Sequence, residues 1–199
     1  MTDGGEFAAS DADASFIGQY SGDALGFSVS SAGNFYDYGA QDILIAATGF
    51  NSGAGKVYLF YSGSEFTGEI DLTTASASFY GDTSGEALGS NVASIGDVNN
   101  DGYDDIILGA PLYSGSTYTY QGRAYVFYGA GWAGAYGSSE ADLILTGELD
   151  ENYAGLGLAG GQDLNGDGID DIAVGAHGYD SAGTDDGRAY IVYGSETAA

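Results

Sequence analysis

Three stretches of this chain follow one plan, and that repeat limits the possible folds more than any other feature. The first runs Ala24-Leu25-Gly26, then Asn34 to Asp42, Ile43-Leu44-Ile45-Ala46-Ala47, and Lys56-Val57-Tyr58-Leu59-Phe60-Tyr61. The second runs Ala87-Leu88-Gly89, then Asp97 to Asp105, Ile106-Ile107-Leu108-Gly109-Ala110-Pro111, and Arg123-Ala124-Tyr125-Val126-Phe127-Tyr128-Gly129. The third runs Tyr153-Ala154-Gly155, then Asp163 to Asp171, Ile172-Ala173-Val174-Gly175-Ala176-His177, and Arg188-Ala189-Tyr190-Ile191-Val192-Tyr193-Gly194. The equivalent loops open at 34, 97 and 163, so the period is 63 and then 66 residues.

An apolar segment precedes each unit: Ala14 to Gly18, Ala75 to Gly81, and Leu143 to Gly147. This predicts about four short strands per unit. Runs such as Ile106-Ile107-Leu108 are apolar on successive residues, so both faces of the sheet are expected to be buried. Four-stranded units that cover one another face to face are the pattern of a propeller. The expected fold class is therefore all-β: β-propeller blades of four antiparallel strands, about three units, and an incomplete ring on its own. Residues 1–13 read as a tail, 14–74 as the first unit, 75–139 as the second and 140–199 as the third.

Composition removes several functions. Three basic residues stand against 29 acidic ones, a formal charge of −26. Nucleic acid is excluded as a partner, because phosphate binding needs a positive field. An acidic membrane surface is disfavoured for the same reason. No apolar run approaches spanning length, so no membrane insertion is expected. Met1 to Phe7 has neither a basic nor an apolar signal region. There is no Cys, which excludes disulfides and thiolate metal sites.

The acidic residues are clustered in two places. Calcium takes six to eight oxygens at about 2.3–2.6 Å, and a short loop supplies them when alternate side chains point inward. Asp97, Asn99, Asp101 and Asp105 occupy positions 1, 3, 5 and 9 of one loop. Asp163, Asn165, Asp167 and Asp171 do the same in the other. Position 7 contributes a backbone carbonyl, here from Tyr103 and Ile169. Gly102 and Gly168 stand at position 6, where the chain must turn sharply. Three carboxylates and one amide per loop suit a hard cation, so two Ca2+ sites are expected. An EF-hand is excluded, since Leu108 and Val174 hold position 12 in place of Glu. The first unit has Asn34, Tyr36, Tyr38 and Asp42 at the matching places, and its rings are expected to pack the turn with no calcium bound.

The run from Gly96-Asp97-Val98-Asn99 through Gly109-Ala110-Pro111 resembles the FG-GAP repeat of integrin α-subunit propellers. The third unit is similar to it, with His177 replacing the Pro, and the first departs most, with Ala46-Ala47-Thr48 there. The resemblance covers residues of about 14 to 194. It implies a β-propeller, an extracellular or cell-surface setting, and mainly structural calcium ions at the blade edges. It also implies that the strand before each Leu-Gly is the outermost strand of the preceding blade. Ala14 to Gly18 would then have no blade of its own, and the blade ending at Tyr193 would lack its outer strand. The implied partners are further copies, joined through open blade edges as a homo-oligomer or filament, or the remaining blades of a longer propeller.

Other residues carry weaker signals. His177 is the only His and reads as structural or solvent-facing. Neither a Gly-x-Ser-x-Gly elbow nor a phosphate-cradling Gly-Lys-Ser or Gly-Lys-Thr is present. The pairs Asp104-Asp105 and Asp170-Asp171 belong to the calcium loops, and Asp185-Asp186 reads as a solvated turn. Tyr58, Tyr125 and Tyr190 fall on one repeat position and read as blade core. Tyr113, Tyr118 and Tyr120 are the exposed candidates for recognition. Lys56, Arg123 and Arg188 follow Gly55, Gly122 and Gly187, and read as internal ties to acids such as Asp82 or Glu86. The expected function is a non-enzymatic, calcium-binding β-propeller module for extracellular adhesion, scaffolding or self-assembly. The alternative is a lectin-like or peptide-binding propeller that recognises a glycan or protein ligand through its loops.

Overall fold

The apolar runs become short strands because β-branched and aromatic residues alternate with glycine turns. A computed structural model describes residues 8–36, 41–63, 65–180 and 186–196. Its strands are β1 (Ala14–Phe16), β2 (Leu25–Gly33), β3 (Asp42–Ala47), β4 (Lys56–Phe60), β5 (Gly68–Ile70), β6 (Ala77–Tyr80) and β7 (Asn91–Gly96). There follow β8 (Asp105–Ala110), β9 (Arg123–Phe127), β10 (Gly134–Gly137), β11 (Leu143–Thr146), β12 (Gly157–Gln162), β13 (Asp171–Ala176) and β14 (Arg188–Val192). Three 3-10 turns, η1 (Ala9–Asp11), η2 (Leu72–Thr74) and η3 (Ser138–Glu140), precede β1, β6 and β11.

The sheets are propeller blades. The first blade is β2-β3-β4-β6 and the second β7-β8-β9-β11, each antiparallel throughout. The third has β12, β13 and β14, and no fourth strand among the described residues. No closed ring is formed among the described residues. The strand ahead of each Leu-Gly or Ala-Gly is the outer strand of the preceding blade, as the repeat resemblance implied: β6 pairs with β4, and β11 with β9. The sequence did not predict β10, which adds a parallel fifth strand to the first blade beside β6.

The core lies between the blades. Leu44, Leu59 and Phe79 of the first blade meet Ile106, Leu108 and Phe127 of the second, all fully buried or nearly so. Ile107 and Val126 use the opposite face of the second blade and meet Ile172 and Val174 of the third. The consecutive apolar run at 106–108 is therefore buried on both sides. Each such side chain stabilises the stack by roughly 1.5–3 kcal/mol. Of the three aligned tyrosines, Tyr58 and Tyr125 are buried, while Tyr190 is half-buried in the last blade.

The link between blades is a repeated turn. Ala24, Ala87 and Tyr153 all adopt positive φ, at 54°, 57° and 51°. Just before them, Asp23, Glu86 and Asn152 are buried. Their side chains accept the N–H three residues back: Tyr20 at 3.3 Å, Thr83 at 3.4 Å and Leu149 at 2.9 Å. Desolvation by burial raises the Glu86 carboxyl above its ordinary value.

The three cations are ties, and among the described residues Arg188 alone pairs with an acid of the expected kind, Glu148 at the repeat position of Asp82; the partner common to all three is an aromatic ring. Arg123 lies 3.7 Å from the Tyr113 ring centroid, and Arg188 3.7 Å from that of Tyr179. Lys56 Nζ lies 5.1 Å from the Phe50 ring and 4.7 Å from Tyr58. Phe50, Tyr113 and Tyr179 hold one repeat position, so the device is a cation over an aromatic face. Arg188 adds an ion pair with Glu148 at 3.2 Å, and Arg123 donates to Thr146 Oγ1 at 3.1 Å. Asp82 accepts instead from the Ser139 N–H, and Glu86 from the hydroxyls of Tyr125 and Ser138.

Candidate metal centre

Both acidic loops connect the first and second strands of a blade, Gly96 to Asp105 and Gln162 to Asp171. In each, the side chains fold back over the loop's own backbone. Asp97 Oδ1 accepts the Asp101 N–H at 3.0 Å, and its Oδ2 accepts that of Gly102 at 2.8 Å. Asn99 Oδ1 also accepts from the Asp101 N–H, at 3.1 Å. Asp101 Oδ1 accepts from the Tyr103 N–H at 3.0 Å, while its Oδ2 takes the Asn99 amide at 2.8 Å. One backbone N–H thus touches oxygens from positions 1 and 3, which places these groups against a common point.

The last loop repeats this bond for bond. Asp163 accepts from Asp167 at 3.1 Å and from Gly168 at 2.8 Å. Asn165 accepts from Asp167 at 2.9 Å, and Asp167 accepts from Ile169 at 2.9 Å and from the Asn165 amide at 2.8 Å. Gly102 and Gly168 have φ of 95° and 91°, the left-handed turn that position 6 demands. The first loop is better covered, with Asn99 buried; in the last, Asp163, Asn165 and Asp167 are exposed.

Position 9 has a second task. Asp105 is fully buried, its Oδ2 accepting from the Val98 N–H at 2.9 Å and its Oδ1 from Gly129 at 2.7 Å. Asp171 accepts from Leu164 at 2.7 Å and Gly194 at 2.9 Å. Asp42, in the unit without the calcium pattern, accepts from Tyr36 at 3.2 Å and Ser62 at 2.7 Å. This Asp therefore staples the loop to the end of the blade's third strand whether or not the loop has ligands. Burial pushes the Asp105 carboxyl up to about 7, and the charges of Asp101 and Asp97 push the same way.

Position 8, which the sequence reading assigned only to the calcium loops, has a role between blades that this reading missed. Asp104 Oδ2 accepts the Asn34 N–H at 2.7 Å, and Asp170 Oδ2 accepts the Asp97 N–H at 3.2 Å. Each reaches back to position 1 of the preceding blade's loop. Gly33 and Gly96 make room: a Cβ there would collide with Asp104 and Asp170. The signal was present, an Asp at position 8 of both units and a Gly just before position 1.

The donor set is all oxygen, which fits calcium and not a softer metal. Among the described residues, no group of three or more Asp, Glu, His or Cys side chains is already gathered as a ligand cluster. The carboxylates instead face backbone N–H groups, and a cation would take the remaining lone pairs of the same oxygens.

In the first unit, the Tyr36 ring stacks on Tyr61 at 4.7 Å and 15°, the packing expected of that residue. Tyr38 and Asp185 lie outside the described residues. His177 is exposed and stacks on Tyr153 at 5.1 Å, which stacks in turn on Tyr120 at 6.0 Å. Of Tyr113, Tyr118 and Tyr120, Tyr120 alone is exposed.

The FG-GAP repeat family matches residues 88–127 and 154–192, the second and third repeats with both loops inside. This is an FG-GAP repeat chain. It is 31% identical to integrin alpha-5 of Xenopus laevis over 188 residues, covering 88% of this chain and 17% of that protein. It is 29% identical to integrin alpha-PS5 of Drosophila melanogaster over 170 residues, 82% of this chain and 16% of the other. Integrin alpha pat-2 of Caenorhabditis briggsae is 31% identical over 191 residues, 89% and 14%. The FG-GAP chain thus spans about a sixth of these relatives' length. No helix among its described residues is long and apolar enough to cross a membrane.

Proposed function

We propose that this FG-GAP chain is a non-enzymatic, calcium-stabilised propeller module for adhesion or scaffolding at the cell surface or outside the cell. The supporting observation is the bond-for-bond match of the loops at Asp97–Asp105 and Asp163–Asp171. Asp97, Asn99, Asp101 and Asp105 would hold one ion, with the carbonyl of Tyr103. Asp163, Asn165, Asp167 and Asp171 would hold the other, with that of Ile169. The ion's chemistry is electrostatic: it neutralises carboxylates that otherwise repel. Asp170 holds the Asp97 N–H, so ordering one loop also orders the contact to the next blade. The likeness to proteins named integrins supports a reading in which the module is part of a larger propeller with protein ligands. Further copies of the chain are the other source of neighbouring blades. Calcium titrated by calorimetry should bind two ions per chain, and chelator should lower the melting temperature. A melting temperature indifferent to chelator and calcium would refute the metal reading.

One observation favours a ligand on the opposite set of loops. The Tyr120–Tyr153–His177 stack bridges the second and third blades and is exposed at both ends. Flat aromatic faces of this kind suit sugar rings or aromatic peptide side chains. Glycan and peptide arrays probed with the wild type and with Tyr120→Ala would test it; equal binding by the two proteins counts against the site.

A further inference from the structure

One turn-and-strand piece occurs three times. η1, η2 and η3 each lead, after two residues, into β1, β6 and β11. Ala14-Ser15-Phe16 of β1 repeats Ala77-Ser78-Phe79 of β6 letter for letter. β6 and β11 are the outer strands of blades one and two. β1 has the same surroundings on one side, since it pairs in parallel with β5 just as β6 pairs in parallel with β10. β5 and β10 hold the same place in the repeat. So β1 is built as an outer strand, yet its other edge has no strand among the described residues. β14 is the converse case: a third strand paired with β13 alone.

The faces beside these edges match as well. Ile191 on β14 is 48% exposed, where its counterparts Leu59 and Val126 are 0%. Leu164 is 56% exposed, against 0% for Phe35 and 4% for Val98. On the first blade, Val29 is 56% exposed and its counterpart Val92 4%. The internal interfaces bury these positions of the repeat. The two outer blades leave them open on opposite sides, with the partner's half present in the same sequence.

We propose that a second copy of this chain completes the third blade, its η1–β1 piece pairing antiparallel with β14 of the first. The second copy's first blade then packs on the first copy's third. The inference rests on the scaffolding reading above and names the partner. The existing blades fix the register. Leu59 opposes Ala77 and Val126 opposes Leu143, so Ile191 opposes Ala14 of the other copy. Lys56 opposes Tyr80 and Arg123 opposes Thr146, so Arg188 opposes Ile17. Such a contact is heterologous and ends as a closed ring or a filament. Each copy carries a formal −26, so association needs salt or bound cations to screen the repulsion.

The chain has no Cys, which makes cross-linking clean. Ala14→Cys and Ile191→Cys proteins are mixed in calcium and high salt and oxidised. Directly opposed Cβ atoms lie about 4.5–5.5 Å apart, close to disulfide reach. The expected result is a covalent two-chain species from this mixture and none from Ser15→Cys with Ile191→Cys, which is one residue out of register. Sedimentation of the wild type should give at least twice the mass of one chain under the same conditions. A single-chain mass at micromolar concentration with no cross-link overturns the proposal, even if calcium raises the melting temperature. Cross-linking that persists in chelator supports it, even if the metal reading fails.

Discussion

Asp101 and Asp105 both sit in the first acidic loop, yet they do different work. Asp101 is exposed and bonds within its own turn, whereas Asp105 is buried and joins two strands. Asp101→Ala and Asp167→Ala should therefore lower the melting temperature in calcium and change little in chelator. Bound calcium at a hundredfold excess over its dissociation constant stabilises by about 2.7 kcal/mol, which bounds the loss from each site. Asp105→Ala should destabilise in both conditions, because two backbone donors lose their acceptor at about 1–3 kcal/mol each. Melts of the variants with and without chelator separate the two roles, and parallel losses for Asp101→Ala would contradict the assignment. Positions 1, 3, 5 and 9 were legible in sequence because they answer to spacing inside one loop. Position 8 was not, because the partner of Asp104 is the Asn34 N–H on another blade. The cations were misread for a related reason. Their shared repeat position announced a shared tie, but acids were sought where Phe50, Tyr113 and Tyr179 supply rings, and among the described residues only Arg188 adds an ion-paired acid, Glu148. Lys56 already makes this contact, so Arg123→Lys should be mild. Tyr113→Ala should cost about 0.5–2 kcal/mol, read as a shift in the urea midpoint.

The strands themselves follow from apolar runs between glycine turns, and fourteen short strands with little helix are the outcome among the described residues. What sequence patterning could not supply was the path between the third and fourth strands. Residues 129–141 cross the gap between the first two blades, where Trp132 meets Phe79 at 5.9 Å and Phe127 at 5.6 Å. β10 then pairs in parallel with β6. Gly134-Ala135-Tyr136-Gly137 has no strand-like alternation to announce this. Its position comes from the rings ahead of it, and from the Trp132 indole N–H, which donates to the Tyr128 carbonyl at 2.6 Å. Trp132→Ala should thus loosen the joint between the blades as a unit. Trp132 is half-buried, so the loss should fall below the roughly 3–5 kcal/mol of a fully buried Trp. Hydrogen exchange should show β6, β10 and the 129–141 segment losing protection together; a loss confined to 132–137 would mean that the crossing segment is not a joint.

Across the whole molecule, the acidic charge and the buried carboxylates act in one direction. Burial raises the carboxyls of Asp42, Glu86 and Asp105 above their ordinary values of 3.8, 4.5 and 3.8, the last to about 7. A carboxyl that holds its proton more tightly folded than unfolded favours the fold at low pH. That contribution is complete below the unfolded value and is lost as pH rises through the folded one. The exposed Asp71 and Asp163, held low by backbone N–H groups, act oppositely but are screened by solvent. The formal −26 adds self-repulsion as the carboxyls ionise. In chelator and low salt, the melting temperature should therefore fall from about pH 4 to about pH 7. Calcium should reverse the trend, because its ligands must be deprotonated and its binding releases protons. The gap between the calcium and chelator melting curves should then widen as pH rises through the same window. Salt without calcium should raise the chelator curve most at the higher pH and so flatten its fall without abolishing it, since screening weakens the long-range repulsion more than the burial of three carboxyls. A chelator curve that climbs with pH, or a calcium gap that narrows, would place the charge balance elsewhere than in these buried acids and the two loops.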